Sequence, residues 1–335
     1  MENKHSITHV ILTGGVGSRL WPLSRKSQPK QYLNLFEGKS LFEMTVERNR
    51  NVADTIMVVG NRDNCHLSKK VLEKSNTSYI DIVESTPRNT AAAIAFAAFA
   101  SDPEAVLIVT PSDHIIDKME EYEAAIGDAI EKALKGYIVT FGIIPSKPET
   151  GYGYIERRGD DVLSFREKPN QVTARDFISR GNFLWNSGMF CFKAGVFLEE
   201  LKSFTPEVYE KSKIVWEANQ NGNLDLDLSL DIPSISIDYA VMERSKKIKV
   251  VSSTFVWSDL GSFESVYDYL VAHGHPVDKN GNMVIGTTNY TAFVGLKNTI
   301  FVHTETANLI LQKEYSQDVK NVYNELEREN PELLN

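Results

Sequence analysis

Gly14, Gly15 and Gly17 follow directly on the apolar run Val10-Ile11-Leu12, with Arg19 next and Lys30 soon after, between Pro29 and Gln31. Glycines in such a loop let backbone N–H groups approach an anion without interference from side chains. Arg19 and Lys30 add fixed positive charge close by. A loop of this composition at the end of a first strand predicts a site for a polyphosphate.

Two common phosphate loops fail against it. A P-loop needs Gly, four residues, then Gly-Lys-Ser/Thr, and no such string occurs. A dinucleotide loop needs Gly-x-Gly-x-x-Gly opening into a helix, whereas Leu20 stands in the third glycine position and Pro22 and Pro29 oppose an immediate long helix. The second strand ends at Gly60 and Asn61 with no acidic residue for a ribose hydroxyl. A nicotinamide-dependent oxidoreductase is therefore disfavoured. The histidines show neither a nucleophilic triad nor zinc spacing, and His114 reads as structural.

The string Gly14-Gly15-Val16-Gly17-Ser18-Arg19-Leu20-Trp21-Pro22-Leu23 with Pro29-Lys30-Gln31 resembles the signature of sugar-1-phosphate nucleotidylyltransferases, specifically their mannose-1-phosphate guanylyltransferase branch. Further motifs recur in that branch in the same order: Arg88-Asn89-Thr90-Ala91, Pro111-Ser112-Asp113-His114, Thr150-Gly151-Tyr152-Gly153, Glu167-Lys168-Pro169, Trp185-Asn186-Ser187-Gly188, Ile237-Asp238-Tyr239-Ala240 and Trp257-Ser258-Asp259-Leu260-Gly261. The resemblance covers nearly the whole chain. It departs at Thr13, where alanine is usual, at Val16 and Ser18, which replace a Ser/Thr pair, and at Glu84-Ser85-Thr86-Pro87, where the proline is displaced before Arg88.

The resemblance implies transfer of GMP from GTP to mannose 1-phosphate, giving GDP-mannose and pyrophosphate. Both reactants are anions, so charge repulsion and alignment are the main obstacles, and positioning plus electrostatics must supply most of the rate. Arg19, Lys30, Asp113 and Lys168 are the implied catalytic residues. Gly14, Gly15, Gly17, Arg88, Asn89, Thr90 and Ser112 would bind the nucleotide. Gly151, Glu167, Lys168, Asn186 and Asp238 would bind the sugar phosphate. Asp113 and Asp259 would hold Mg²⁺, which takes one or two carboxylates alongside substrate phosphates. Structural roles compete: Asp113 as a turn residue or cap, Asp259 as the cap of a helix over 261–272, Asp238 as the cap of one over 239–244. Trp21, Trp185 and Trp257 read as packing residues. Two other functions stand beside the first: a nucleotidylyltransferase for another sugar 1-phosphate or triphosphate, and a catalytically silent nucleotide-binding subunit.

The elements that must position these residues alternate. Strands are expected at Ile7–Leu12, 55–59, 79–83, 105–109 and 137–141, with helices at 41–50, 66–74, 90–100 and 120–135. That alternation predicts an α/β fold, a Rossmann-like mixed sheet flanked by helices, whose ligands lie beyond the carboxyl ends of the strands. A hairpin is expected over 152–155 and 162–166, strands at 189–192 and 248–255, and a polar loop at 219–231. Short strands at Met283–Ile285, 292–294, Thr299–His303 and Asn308–Gln312 and an amphipathic helix at 317–328 follow. The expected division is a nucleotidyltransferase domain over 1–273 and a short β-rich C-terminal segment over 274–335. The resemblance further implies a shortened β-helical segment, no isomerase domain, and room for a homodimer.

With 335 residues, 42% hydrophobic and 24% charged, the chain has ordinary globular composition. A net charge of −9 argues against non-specific nucleic-acid binding, not against phosphate substrates bound by local Arg and Lys. Two cysteines offer neither a disulfide framework nor a metal motif. The polar N-terminus and the shortness of the apolar run 91–100 point to a cytoplasmic protein without a membrane span.

Overall fold

A computed structural model describes residues 5–34, 38–219 and 221–335. The chain forms two compact units, each built from three separated stretches. One comprises the described residues up to Gly14 with Thr45–Ser112 and Ile116–Trp257; the other comprises those of Gly15–Met44 with Asp113–Ile115 and Ser258–Asn335.

The first unit is organised by a nine-stranded sheet. Its early strands are β1 (Ile7–Leu12), β2 (Thr55–Asn61), β3 (Tyr79–Glu84) and β4 (Val106–Pro111). A short strand, β5 (Ile115–Asp117), stands outside it, and then come β6 (Ile138–Ile143), β7 (Tyr154–Arg158), β8 (Asp161–Arg166), β9 (Phe183–Lys193) and β10 (Ile248–Ser253). The order is β3-β2-β1-β4-β9-β6-β10-β8-β7. β1 runs parallel to β2 and β4, whereas β9 is antiparallel to both β4 and β6. The sheet is therefore mixed, and β1 and β4 are adjacent strands whose chains leave toward opposite sides. That switch point is where open α/β sheets place ligands, and Ser112 N–H donates to the Leu12 carbonyl there (3.1 Å).

The central strands are continuous apolar runs because helices cover both faces. The helix Asn89–Phe99 is buried from Ala91 to Ala98. Alanine gives it the best intrinsic propensity, and being apolar all round it suits a core position. Phe96 and Ile94 share its cluster with Phe197, Leu201, Val208 and Val215 from the helices Ala194–Phe204 and Pro206–Glu217. Truncating Phe96 to alanine would cost about 3–5 kcal/mol by loss of transfer energy and creation of a cavity.

The second unit packs Leu20, Trp21, Leu260, Phe263, Val319 and Tyr323 against a three-stranded sheet. After β11 (Val256–Ser258), that sheet is formed by β12 (Met283–Ile285), β13 (Thr299–His303) and β14 (Asn308–Gln312), in that order.

Several expectations are corrected. The strand read at 189–192 begins at Phe183, so Trp185, Asn186 and Ser187 lie within β9. Small and polar residues there resemble a loop in sequence, but the strand carries on through an irregular register against β6, with Gly188 at φ 71°. No strand forms at 292–294, where Val294 is 89% exposed and finds no pairing partner. The polar stretch 219–231 contains a helix, Leu226–Leu230, started by Asp225, whose side chain accepts from Leu228 N–H (2.9 Å); Gln220 lies outside the described residues. The final helix is Val319–Glu329, entered through a 3₁₀ turn at Lys313–Asp318. No helix among the described residues is long and apolar enough to cross a membrane.

Candidate active site

In the second unit the loop Gly15–Leu20, Lys30, Asp113, His114, Asp259 and Tyr323 line a cavity of about 480 Å³. Gly17 adopts φ 78°, in the left-handed region, and a Cβ there would lie 2.5 Å from Lys30 Cβ. Glycine is thus required twice, for its backbone angle and for close passage of the lysine. Main-chain and side-chain bonds hold that passage: Lys30 N–H donates to the Val16 carbonyl (3.1 Å) and Ser24 Oγ to the Gly17 carbonyl (2.6 Å).

Lys30 is only 4% exposed. Its ammonium donates to Asp113 Oδ2 (2.9 Å) and to the main-chain oxygen of Asp259. Burial acts to raise the pKa of Asp113, but Lys30 and then His114, 3.9 Å from Oδ1, outweigh it and hold the carboxyl below its ordinary value. Asp259 Oδ1 accepts from Gly261 N–H (3.0 Å), so its carboxylate folds back over its own turn. The cap of the next helix, Phe263–Ala272, is Ser262 and not Asp259. Arg19 reaches the cavity, and its Nε is buried with no hydrogen-bond partner. The structure thus brings together Gly15, Gly17, Arg19, Lys30, Asp113 and Asp259. His114 and Tyr323 join them; the first reads as structural in the sequence, and the second carries no signal there, because its spacing on an amphipathic helix marks it as core.

In the first unit, Asn186 is the hub of a second group. Its Nδ2 donates to Asp238 Oδ1 (3.0 Å), while its Oδ1 accepts from Gly188 N–H (3.1 Å) and Thr140 Oγ1 (3.2 Å). Asp238 opens a π-helical turn, Asp238–Met242, without capping it. Burial and then the charge of Glu167 raise Asp238 to a pKa of about 6. Lys168 pairs with Glu167 (3.0 Å) yet stays 64% exposed, on a residue at φ 44°. A Cβ on Gly153 would meet Glu167 Oε2, so that glycine makes room for the carboxylate. Gly151 N–H donates to Glu149 Oε1 (3.0 Å). Tyr152 packs edge-on against both Trp185 and Trp257 (5.2 Å each), a packing role for both tryptophans.

A third set begins at the end of β3. Arg88 Nε donates to the Ile232 carbonyl (2.6 Å), Thr90 Oγ1 accepts from Ile237 N–H (2.9 Å), and Asn89 Oδ1 accepts from Thr90 N–H (2.8 Å). Glu84 is buried beside them. Its Oε1 has no hydrogen-bond partner, and burial lifts its pKa to about 7 against the opposing Arg88 N–H. Gly14 and Ser112 belong to the same unit, at the ends of β1 and β4. Thr13, one of the departures noted in the sequence, donates through Oγ1 to the Val59 carbonyl (3.3 Å) and occupies the space a side chain at Gly60 would need.

Comparison with known proteins gives the family of the chain. The nucleotidyl transferase family matches residues 8–273, and the mannose-P isomerase/GMP-like β-helix domain matches 276–326. The alginate biosynthesis protein AlgA of Pseudomonas aeruginosa is 37% identical over 95% of this chain and 72% of its own length. The mannose-1-phosphate guanylyltransferase RfbM of Salmonella typhimurium is 37% identical over 96% of this chain and 73% of its own. A Thermus thermophilus crystal structure described as a mannose-1-phosphate geranyltransferase superposes with a TM-score of 0.83 at 28% identity, covering 96% of this chain and 99% of that one. With one family match running through most of its length, the chain belongs to the nucleotidyl transferase family.

Proposed function

We propose that the protein transfers GMP from GTP to mannose 1-phosphate, releasing pyrophosphate. The observation that carries this reading is the buried Lys30 ammonium, bonded to Asp113 in a cavity that the Gly15–Arg19 loop also lines. A sugar-phosphate oxygen forms the new bond to the α-phosphorus as the α–β bridging bond breaks, and pyrophosphate leaves with that electron pair. Arg19, Lys30 and the loop N–H groups take the triphosphate. Lys168 meets the sugar phosphate, and Asn186, Asp238, Glu167 and Gly151 take the sugar. Arg88, Asn89 and Thr90 border the base, where the unpartnered Glu84 acceptor suits the N1–H and N2–H donors of guanine.

Asp113 and Asp259 would hold Mg²⁺. The fit rests on their chemistry: an all-oxygen pair with a cation, the Lys30 ammonium, already lodged between the Asp113 carboxylate and the Asp259 carbonyl. Once bound, the ion would neutralise phosphate charge. The same reading includes two domains meeting near residue 274, a cytoplasmic enzyme and a homodimer, the last open to sedimentation analysis.

The test is pyrophosphate release with GTP, ATP, UTP and CTP against several sugar 1-phosphates. The expected result is mannose 1-phosphate with GTP, preferred over ATP by about tenfold or more, equal to at least about 1.4 kcal/mol. Equal yields from GTP and ATP would remove the guanine assignment. GTP binding with no release from any pair would establish the silent subunit instead.

A further inference from the structure

We propose that the C-terminal helix completes the triphosphate pocket, with the Tyr323 hydroxyl as a direct hydrogen-bond donor to the phosphate oxygens of the nucleotide. This deepens the assignment of that cavity to GTP and rests on it. Tyr323 lies on the helix Val319–Glu329 and lines the same cavity as Gly15, Arg19, Lys30 and Asp113. Its ring is 6% exposed and packs with Leu20 and Trp21, so the side chain has a fixed position. Its O–H makes no hydrogen bond to another described residue and is not sealed from solvent, which leaves it open to a ligand in the cavity. Burial keeps the phenol protonated, with Glu327 aiding and Lys26 opposing. Arg19 lines the same cavity, and its Nε is buried without an acceptor. A hydroxyl open to the cavity beside a guanidinium Nε without an acceptor suits a ligand that brings several acceptors, as a polyphosphate does.

The helix is tied to the continuation of the glycine loop. Leu333 O accepts from Trp21 Nε1 (3.0 Å) and Arg25 Nη1 (2.9 Å), and Leu334 O accepts from Lys26 N–H (2.7 Å). Lys26 Nζ pairs with Glu327 (3.0 Å). These bonds hold Tyr323 in register with the loop residues it would assist.

The experiment is calorimetric titration of Mg²⁺–GTP onto the wild type, Tyr323→Phe and Arg19→Ala, with steady-state kinetics for both substrates. Phenylalanine keeps the packed ring and deletes only the hydroxyl, so the melting temperature should not change. GTP affinity should fall about tenfold, the scale of one hydrogen bond to a charged group, while the KM for mannose 1-phosphate stays unchanged. Wild-type GTP affinity in Tyr323→Phe alongside a clear loss in Arg19→Ala overturns the tyrosine's role and leaves the pocket assignment standing. Wild-type affinity in both variants overturns the two together.

Discussion

Replacing Lys30 by methionine keeps the side-chain length and removes the ammonium. Lys30's side chain is 5% exposed and Asp113's is 31%. Breaking a fully buried pair costs about 3–5 kcal/mol. Because Asp113 is partly open to water, a share of that is recovered, leaving about 1–3 kcal/mol. The Asp259 carbonyl also loses its donor, worth about 1 kcal/mol. The pH dependence follows from the direction of the Asp113 shift. Burial raises it, but Lys30 and His114 bring the folded value below the ordinary 3.8. A carboxyl depressed on folding stabilises the protein above its unfolded pKa, and that stability is lost as pH falls through the folded value. Lys30→Met removes the largest cause of the depression, so the stability gap to wild type should be full at pH 7 and narrow below about pH 4. Urea unfolding at both pH values reads this directly. Turnover should fall at least about a hundredfold, the scale of one lost transition-state contact. An unchanged unfolding midpoint at neutral pH would refute the structural argument; near-normal turnover in the folded variant would refute the phosphate role.

Asp113→Ala and Asp259→Ala should each lower turnover by about a hundredfold or more and raise the Mg²⁺ concentration needed for half-maximal rate; normal turnover at saturating Mg²⁺ would end the metal assignment. Lys168→Ala should raise the KM for mannose 1-phosphate with little effect on GTP binding, and Arg19→Ala should do the reverse; calorimetric titration of GTP onto the Lys168 variant distinguishes them. Asp238, lifted to about 6 by burial and Glu167, favours the folded state while protonated, so its contribution to stability declines as pH rises from 3.8 through 6. Asp238→Asn should therefore stabilise the protein at pH 7, by about 1–2 kcal/mol, while impairing use of the sugar phosphate; unchanged thermal stability would contradict the shift.

The strands β1 to β4 and β6 and the helices between them were legible because their apolar runs are clean, whereas the three-residue β5 at Ile115–Asp117 is too short to carry a pattern. The β9 motif was not, since Trp-Asn-Ser-Gly carries no strand pattern and its extension depends on neighbours far away in sequence. The glycine loop and Lys30 were legible from residue type and order, and Asp113 from the resemblance of Pro111-Ser112-Asp113 to a family motif. Their convergence was not, because Asp113 and Asp259 are separated by much of the chain, and only tertiary structure sets a lysine ammonium between them. Tyr323 was hidden for the opposite reason. Its spacing satisfies the apolar face of a helix, so nothing in the sequence separates its hydroxyl from its ring. Glu84 likewise ends an ordinary strand, and burial alone makes it chemically distinct.

The assembly of each unit from separated stretches has a consequence for synthesis. Gly15–Met44 leaves the ribosome early, but its partners from Ser258 onward follow only after roughly two hundred further residues. At about 5–20 residues per second, this is a wait of roughly 10–40 s. During it the sheet of the first unit can close through its parallel strands, while Leu20, Trp21 and Leu41 lack Leu260, Phe263, Ile300 and Val302, with which they form a core. Until then the loop that carries Arg19 and Lys30 lacks the core partners of the folded protein, which makes it a place for a chaperone to hold. Lys30 cannot gain the Asp259 carbonyl until the last quarter of the chain has been made.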